Sequence, residues 1–70
     1  MVKVESTYRD EVVVFETYNE AMKWIAAKAQ ELNFGMFRVW QVDGYRYWDC
    51  GPRTYKMAVA DIPEDKRELA

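Results

Sequence analysis

The sequence predicts an α+β fold in which one helix packs on one face of an antiparallel sheet of four or five strands. Three observations predict it: residues 2–9 alternate between apolar and polar side chains, helical periodicity begins after Thr17, and Asp43-Gly44 separates two runs rich in β-forming residues. The expected order is strand, strand, helix, strand, strand, with a further strand before the C-terminus. Residues 1–62 should form a single domain, followed by a charged tail over residues 63–70.

The first two strands are predicted from alternation and from β-branched residues. One face of the first strand should carry Val2, Val4, Ser6 and Tyr8, and the other Lys3, Glu5, Thr7 and Arg9. Asp10-Glu11 is a polar interruption, and residues 12–15, "VVVF", strongly favour extended structure. A hairpin is the simplest connection between the two strands.

A helix should begin at Thr17. Thr17-Tyr18-Asn19-Glu20 matches the capping box, in which the Thr hydroxyl and the Glu carboxylate bond reciprocally to backbone N–H groups. Apolar residues then recur at helical spacing, with Trp24 at the edge of their stripe: Ala21, Met22, Ile25, Ala29 and Leu32. Asn33 and Gly35 tolerate left-handed backbone, so the helix should end near them.

The register of the next hairpin follows from its turn. If Asp43 and Gly44 are the two loop residues of a type I′ turn, alternation divides the flanking strands into two faces. The first face is Phe37, Val39, Gln41, Arg46, Trp48 and Cys50, and the second is Arg38, Trp40, Val42, Tyr45, Tyr47 and Asp49. We expect the first face in the core, with Gln41 and Arg46 reaching solvent at the turn end. The second face holds an Arg38–Asp49 pair that would be costly to bury, so it should point away from the helix.

The C-terminal part supplies one more strand and the tail. Gly51-Pro52 ends the hairpin, and residues 53–60 can form a strand with Tyr55, Met57 and Val59 on one face. The charged segment after Pro63 should be a frayed end or a short helix.

Composition restricts the function. The 70 residues carry a formal charge of −2, so nonspecific nucleic-acid binding is disfavoured. A single cysteine, Cys50, and the lack of any long apolar run predict a cytoplasmic protein without a membrane segment. No histidine is present, no carboxylate spacing matches a calcium loop, and Gly44 and Gly51 are isolated. We therefore expect no enzyme, no metal and no cofactor, and interpret Cys50 as a packed thiol beside Phe37.

The second hairpin face is the candidate binding site, with Arg46 added at the turn. Its residues are Arg38, Trp40, Tyr45, Arg46, Tyr47 and Asp49. Exposed Trp, Tyr and Arg side chains are typical of protein-binding hot spots, although cross-strand aromatic pairs can also simply stabilise a small sheet.

Two other interpretations of this face stay open. The first is a single-stranded RNA or DNA module, because Arg38, Arg46, Arg53 and Lys56 flank the aromatic residues. The RNA-recognition fold, however, has two helices and a glycine-aromatic strand motif that this sequence lacks. The second is a homodimer in which two such sheets pack face to face.

Residues 47–51, "YWDCG", carry a resemblance. With the strand–strand–helix–strand–strand order and a Thr-capped helix, the chain resembles small phage-encoded host-takeover and anti-CRISPR proteins. The motif is similar to the Trp-x-Asp-Cys or Trp-Val-Asp-Cys ending of one anti-CRISPR family acting on type I surveillance complexes. Here Asp49 follows Trp48 directly and twenty residues follow Cys50. The resemblance implies a class, a noncatalytic inhibitor of a host protein or defence complex in the host cytoplasm, and no particular partner.

Overall fold

The computed structural model describes residues 1–8 and 10–68 of the chain. Arg9, which ends the predicted first strand, and residues 69–70 of the predicted tail lie outside the described residues. The elements in chain order are β1 (Val2–Ser6), β2 (Val12–Phe15), α1 (Tyr18–Asn33), β3 (Arg38–Val42), β4 (Tyr45–Asp49) and β5 (Thr54–Ala58). Short 3₁₀ turns follow at Val59–Asp61 and Glu64–Lys66. The predicted α+β fold, including the fifth strand, is confirmed.

The five strands form one antiparallel sheet in the order β2-β1-β5-β4-β3. The C-terminal strand β5 therefore lies between the two hairpins and joins them, pairing Val4 with Met57 on one side and Trp48 with Tyr55 on the other. The β3–β4 register is the predicted one from Val42↔Tyr45 to Arg38↔Asp49. Asp43 and Gly44 both have positive φ, 52° and 81°, as the type I′ turn requires.

Both ends of α1 follow from local sequence. The Thr17 hydroxyl accepts a hydrogen bond from the Glu20 backbone N–H at 3.2 Å, which confirms the predicted cap. The expected return bond from the Glu20 carboxylate is not among the hydrogen bonds of the described residues. The helix ends at Asn33, and Phe34 and Gly35 then take left-handed backbone.

The core lies between α1 and the sheet face that it covers. Helix α1 contacts β1 and β2, and the Trp24 ring packs on Phe15 and Tyr55 at centroid distances of 5.8 and 5.1 Å. The buried apolar residues are Val2, Val4, Ala21, Ile25, Ala29, Trp48, Cys50, Tyr55, Met57 and Ile62. Trp48 is only 2% exposed, so the interpretation of Trp48 as a core residue is confirmed.

Phe37 was wrongly expected in the core. Its side chain is 43% exposed, and β3 begins only at Arg38. The β3–β4 ladder ends at the Arg38↔Asp49 pair, and residues 51–53 then form the turn into β5, where the Cys50 N–H donates to the Arg53 carbonyl at 2.8 Å. The chain turns toward β5 at that point, and Phe37 is left at the margin of the sheet.

Arg46 was wrongly expected to reach solvent. It is only 5% exposed, because β4 is an internal strand and Arg46 lies between Met57 of β5 and Gln41 of β3. Its Nε donates to Gln41 Oε1 at 3.0 Å, while its buried Nη2 has no hydrogen-bond partner among the described residues.

Two predicted strands are shorter than expected. β1 ends at Ser6, whose N–H donates to the Glu11 carbonyl, and the following Tyr8 is exposed. β5 ends at Ala58, and Val59 begins a 3₁₀ turn. The predicted tail is in part a short turn, Glu64–Lys66, held by Arg67, whose Nε donates to the Ile62 carbonyl at 2.8 Å.

Candidate functional site

The sheet face opposite α1 is uncovered in the described part of the chain, and we call it the open face. Alternation and the pairing register place thirteen side chains on it: Lys3, Glu5, Val12, Val14, Arg38, Trp40, Val42, Tyr45, Tyr47, Asp49, Thr54, Lys56 and Ala58. Five of the six predicted site residues lie here. The sixth, Arg46, points to the helix side and is buried, so the structure does not bring it to the others.

Trp40 and Tyr47 form the centre of the open face. They are directly opposite each other on β3 and β4, and their rings stack at a centroid distance of 5.4 Å with an interplanar angle of 7°. Trp40 remains 39% exposed, so the stack orders the indole without covering it. This contact is the cross-strand pair that stabilises a sheet, and it also holds a rigid aromatic surface toward solvent.

A line of charges adjoins the aromatic rings. Lys56 Nζ lies 4.8 Å from the centroid of the Tyr45 ring and 3.7 Å from Glu5 Oε2, and Lys3 Nζ lies 3.4 Å from Glu5 Oε1. Glu5 thus lies between two cations, while Lys56 links it to the aromatic surface. The lysine stem also covers part of the sheet.

Arg38 and Asp49 close the other end of the hairpin. Arg38 Nη2 lies 3.4 Å from Asp49 Oδ2, and Asp49 Oδ1 accepts the Gly51 backbone N–H at 3.1 Å. Asp49 is therefore fixed by the backbone after β4, whereas the Arg38 side chain is largely exposed. An exposed pair of this kind contributes little to stability, and the Arg38 guanidinium keeps free donors for a ligand.

The open face differs in charge from the rest of the molecule. Lys3, Arg38 and Lys56 against Glu5 and Asp49 give it a net charge of +1, so the remaining residues must carry −3 for the chain total of −2. The face is thus a weakly cationic, aromatic surface on an acidic protein.

Cys50 lies beside this surface and is fully buried. Burial first, and the neighbouring Asp49 carboxylate second, raise the pKa of the Cys50 thiol. The thiol therefore stays protonated at neutral pH, which is the opposite of an activated nucleophile.

Two further features of the described residues bear on other functions. No group of three or more His, Cys, Asp or Glu side chains there is positioned to hold a metal ion. In the same part of the chain, no helix has the length and apolar character needed to cross a bilayer.

Sequence reasoning missed two sets of residues. The first is Lys3 and Glu5, which join the face only through the β2-β1-β5-β4-β3 order, whereas Lys56 was already expected to flank the aromatic residues. The second set is the connection between α1 and β3, residues 34–37, in which Phe34 and Met36 are exposed. The sequence "FGMF" itself, an apolar segment next to a glycine, was the available signal.

Comparison with known proteins does not assign the chain to a group. No protein-family model matches it, and no curated protein or solved structure is significantly similar to it.

Proposed function

We propose that the chain is a noncatalytic protein-binding domain that inhibits a host protein or defence complex by occupying its surface with the open face. The observation that carries the proposal is the stacked Trp40–Tyr47 pair, exposed on a sheet face that no described element covers. The class is the one implied by the "YWDCG" resemblance to small phage-encoded inhibitors. Such an inhibitor acts in the host cytoplasm and needs no cofactor.

The aromatic geometry supports protein recognition. Trp and Tyr dominate binding hot spots because a rigid ring gains a large contact area while losing little conformational freedom. Here the rings are already held in place, Trp40 by Tyr47 and Tyr45 by Lys56. Preorganisation of this kind lowers the entropic cost of association.

The charge pattern indicates the kind of protein partner. The open face has a net charge of +1, whereas the other residues of the chain total −3. This pattern favours a partner whose surface is mildly acidic and lets the aromatic rings pack against it. The exposed Arg38 guanidinium is the group best placed to bind a partner carboxylate, since it can form two parallel hydrogen bonds.

Single-stranded nucleic acid is the second candidate. The observation that favours it is the placement of Lys56 over the Tyr45 ring beside an exposed indole, since stacking platforms combine rings with cations. The described residues of the face include three cations, two of them near Glu5, which leaves little for phosphate neutralisation. A face-to-face homodimer would bury the same rings against a second +1 surface, which the like charges oppose.

The experiment compares three tagged proteins in a pull-down from a candidate host lysate, followed by binding titrations with the captured protein. Trp40→Ala should weaken binding by about 2 kcal/mol, roughly 30-fold, whereas the wild-type affinity should change little between low and moderate salt. Phe34→Gly is the matched control, because it removes an even more exposed aromatic ring from outside the open face. It should retain the partner.

Three results would contradict the proposal. Equal loss in both variants would show that the open face has no special role. Retention of the partner by Trp40→Ala would move the contact elsewhere. Tight, strongly salt-dependent binding of a labelled single-stranded oligonucleotide of about 15 nucleotides, lost in Trp40→Ala, would establish the nucleic-acid alternative instead.

A further inference from the structure

The connection between α1 and β3 exposes apolar side chains that the fold does not use. We call residues 34–37, Phe-Gly-Met-Phe, the apolar loop. Phe34 is 90% exposed, Met36 67% and Phe37 43%. Single exposed apolar residues are ordinary, but three within four positions concentrate exposed apolar surface in one connection, which points to a binding surface.

The backbone of Phe34 strengthens this interpretation. Phe34 adopts φ 56°, the left-handed region that a bulky residue enters only with strain, and glycine or asparagine is usual at this position after a helix. Its neighbours Asn33 and Gly35 are the residue types that would fit there without cost. A strained, nearly fully exposed ring contributes nothing to the core, so its presence is better explained by a contact outside the monomer.

Hydrogen bonds hold the backbone of the apolar loop against the end of α1. The Gly35 N–H donates to the Ala29 carbonyl at 2.9 Å and the Met36 N–H to the Asn33 carbonyl at 2.9 Å. The Asn33 side-chain amide returns a bond to the Met36 carbonyl at 3.0 Å. Gly35 itself adopts φ 82°, a left-handed conformation that a residue with a side chain would enter only with strain. The backbone that carries the exposed Phe34 and Met36 side chains is therefore hydrogen-bonded to the helix end.

A shallow hollow of about 250 Å³ lies beside the same loop. Its lining consists of Asn33, Met36, Phe37, Arg38, Asp49 and Gly51. A dry cavity of about 150 Å³ already accepts benzene, so this hollow has the volume for one phenyl ring. The molecule thus presents an apolar projection and a matching recess side by side.

We propose that two copies of the chain dimerise through the apolar loop, with Phe34 of each copy seated in the hollow of the other. A projection next to its own recess is self-complementary under a twofold axis, which is the geometry of a closed dimer. The rim supplies opposite charges, Arg38 and Asp49, and a twofold arrangement brings each toward its counterpart in the other copy. The hollow shares Arg38 and Asp49 with the open face, but Trp40, Tyr45 and Tyr47 do not line it, so substitution of Trp40 distinguishes this dimer from the proposed function.

The affinity should be low. The contact consists of a few side chains per copy, well below the roughly 1,200–2,000 Å² buried in a standard stable interface. We therefore expect a monomer–dimer equilibrium in the high-micromolar range, on the order of 100 µM.

Sedimentation equilibrium of the whole chain from about 10 µM to 1 mM tests the proposal. The wild type should shift from monomer to dimer across this range. Phe34→Gly should weaken the dimer at least about tenfold while its melting temperature stays equal or rises, because glycine relieves the left-handed strain. Met36→Glu places a charge at the recess, leaves Phe34 intact and should weaken the dimer equally. Trp40→Ala is the control and should dimerise as the wild type does.

Each other outcome overturns the proposal. A wild type that is monomeric throughout has no such dimer, and a dimer that survives Phe34→Gly uses another surface. A dimer lost in Trp40→Ala alone would be the face-to-face association of open faces. A marked fall in the melting temperature of Phe34→Gly would show that Phe34 belongs to the fold. Phe34-dependent cosedimentation of a monomeric protein with phosphatidylcholine/phosphatidylglycerol vesicles would assign the loop to a lipid surface.

Discussion

The ten residues of β3 and β4 alternate between two faces of the hairpin, and the two faces have different surroundings. Trp48 on one face is 2% exposed and packs with Tyr55 and Cys50 in the core, whereas Trp40 on the other is 39% exposed and stacks on Tyr47. Both tryptophans have the same intrinsic preference for burial. Their difference comes from the single helix, which can cover one side of a sheet and leaves the other to pair its rings among themselves.

The largest test of this comparison replaces each tryptophan by alanine. Trp48→Ala should lower the free energy of unfolding by about 3–5 kcal/mol, which a domain of this size can hardly survive. Trp40→Ala removes a cross-strand pair on a solvated face and should cost only roughly 0.2–1 kcal/mol. Circular dichroism melting of both variants measures the contrast. An unfolded Trp40→Ala together with a native Trp48→Ala would invert the assignment of the two faces.

The second test concerns Arg46, the charged exception on the covered face. Its guanidinium is buried with Nη2 unpartnered, and its one described side-chain bond goes to Gln41, which solvent can satisfy instead. Arg46→Met keeps the length of the side chain and removes the buried charge, so it should raise the free energy of unfolding by about 2 kcal/mol. Urea denaturation measures this, with Arg46→Lys, which retains a charge, as the matched control. A destabilised Arg46→Met protein would mean that the guanidinium stabilises the fold.

Sequence reasoning succeeded where a local rule determined the structure. Asp43-Gly44 fixed a type I′ turn, the turn fixed the register, and alternation then separated Trp48 from Trp40. The Thr17 cap and the end of α1 at Asn33 were likewise readable from a few neighbouring residues. These features depend on short-range sterics and hydrogen bonding, so one sequence was sufficient.

It failed where distant strands decide the environment. No residue near Arg46 in the sequence indicates that β5 pairs beside it, so Arg46, at the turn end of β4, was expected to be solvent-exposed. The contacts of Lys56 with Tyr45 and Glu5 likewise exist only because β5 lies between β1 and β4. Phe37 was placed wrongly because the β3–β4 ladder ends at Arg38↔Asp49, one pair earlier than alternation from the turn predicts.

A smaller effect tests the boundary between the two faces at Cys50. Cys50→Ala should lower the free energy of unfolding by about 1–2 kcal/mol, because it leaves a small void, and should leave binding by the open face intact. The raised pKa of the Cys50 thiol adds a pH signature. The unfolded thiol ionises first as the pH rises, so the wild type should lose stability from the ordinary thiol pKa upward through the raised one, and Cys50→Ala should lack that part.

Urea titrations at neutral and alkaline pH give the free energy of unfolding of the wild type and of Cys50→Ala. The pH-dependent contributions of the tyrosines and lysines are shared by the two proteins and cancel in the difference. A difference in the free energy of unfolding that stays constant with pH would contradict burial of the Cys50 thiol. Loss of partner binding by a folded Cys50→Ala protein would reopen a nucleophilic or redox role for Cys50.

The smallest expected effect concerns the helix that makes the two faces different. The Thr17 hydroxyl accepts the Glu20 N–H, so Thr17→Ala leaves that donor to water and should lower the free energy of unfolding by about 1 kcal/mol. Thr17→Ser retains the hydroxyl and should stay near the wild type, which separates the cap from other effects of the substitution. Because α1 contacts β1 and β2 rather than the open face, a folded Thr17→Ala protein should bind its partner as the wild type does. Urea midpoints and one binding titration test both statements. An unchanged midpoint would mean that the helix needs no side-chain cap, and weakened binding would mean that α1 positions the open face as well as covering the other one.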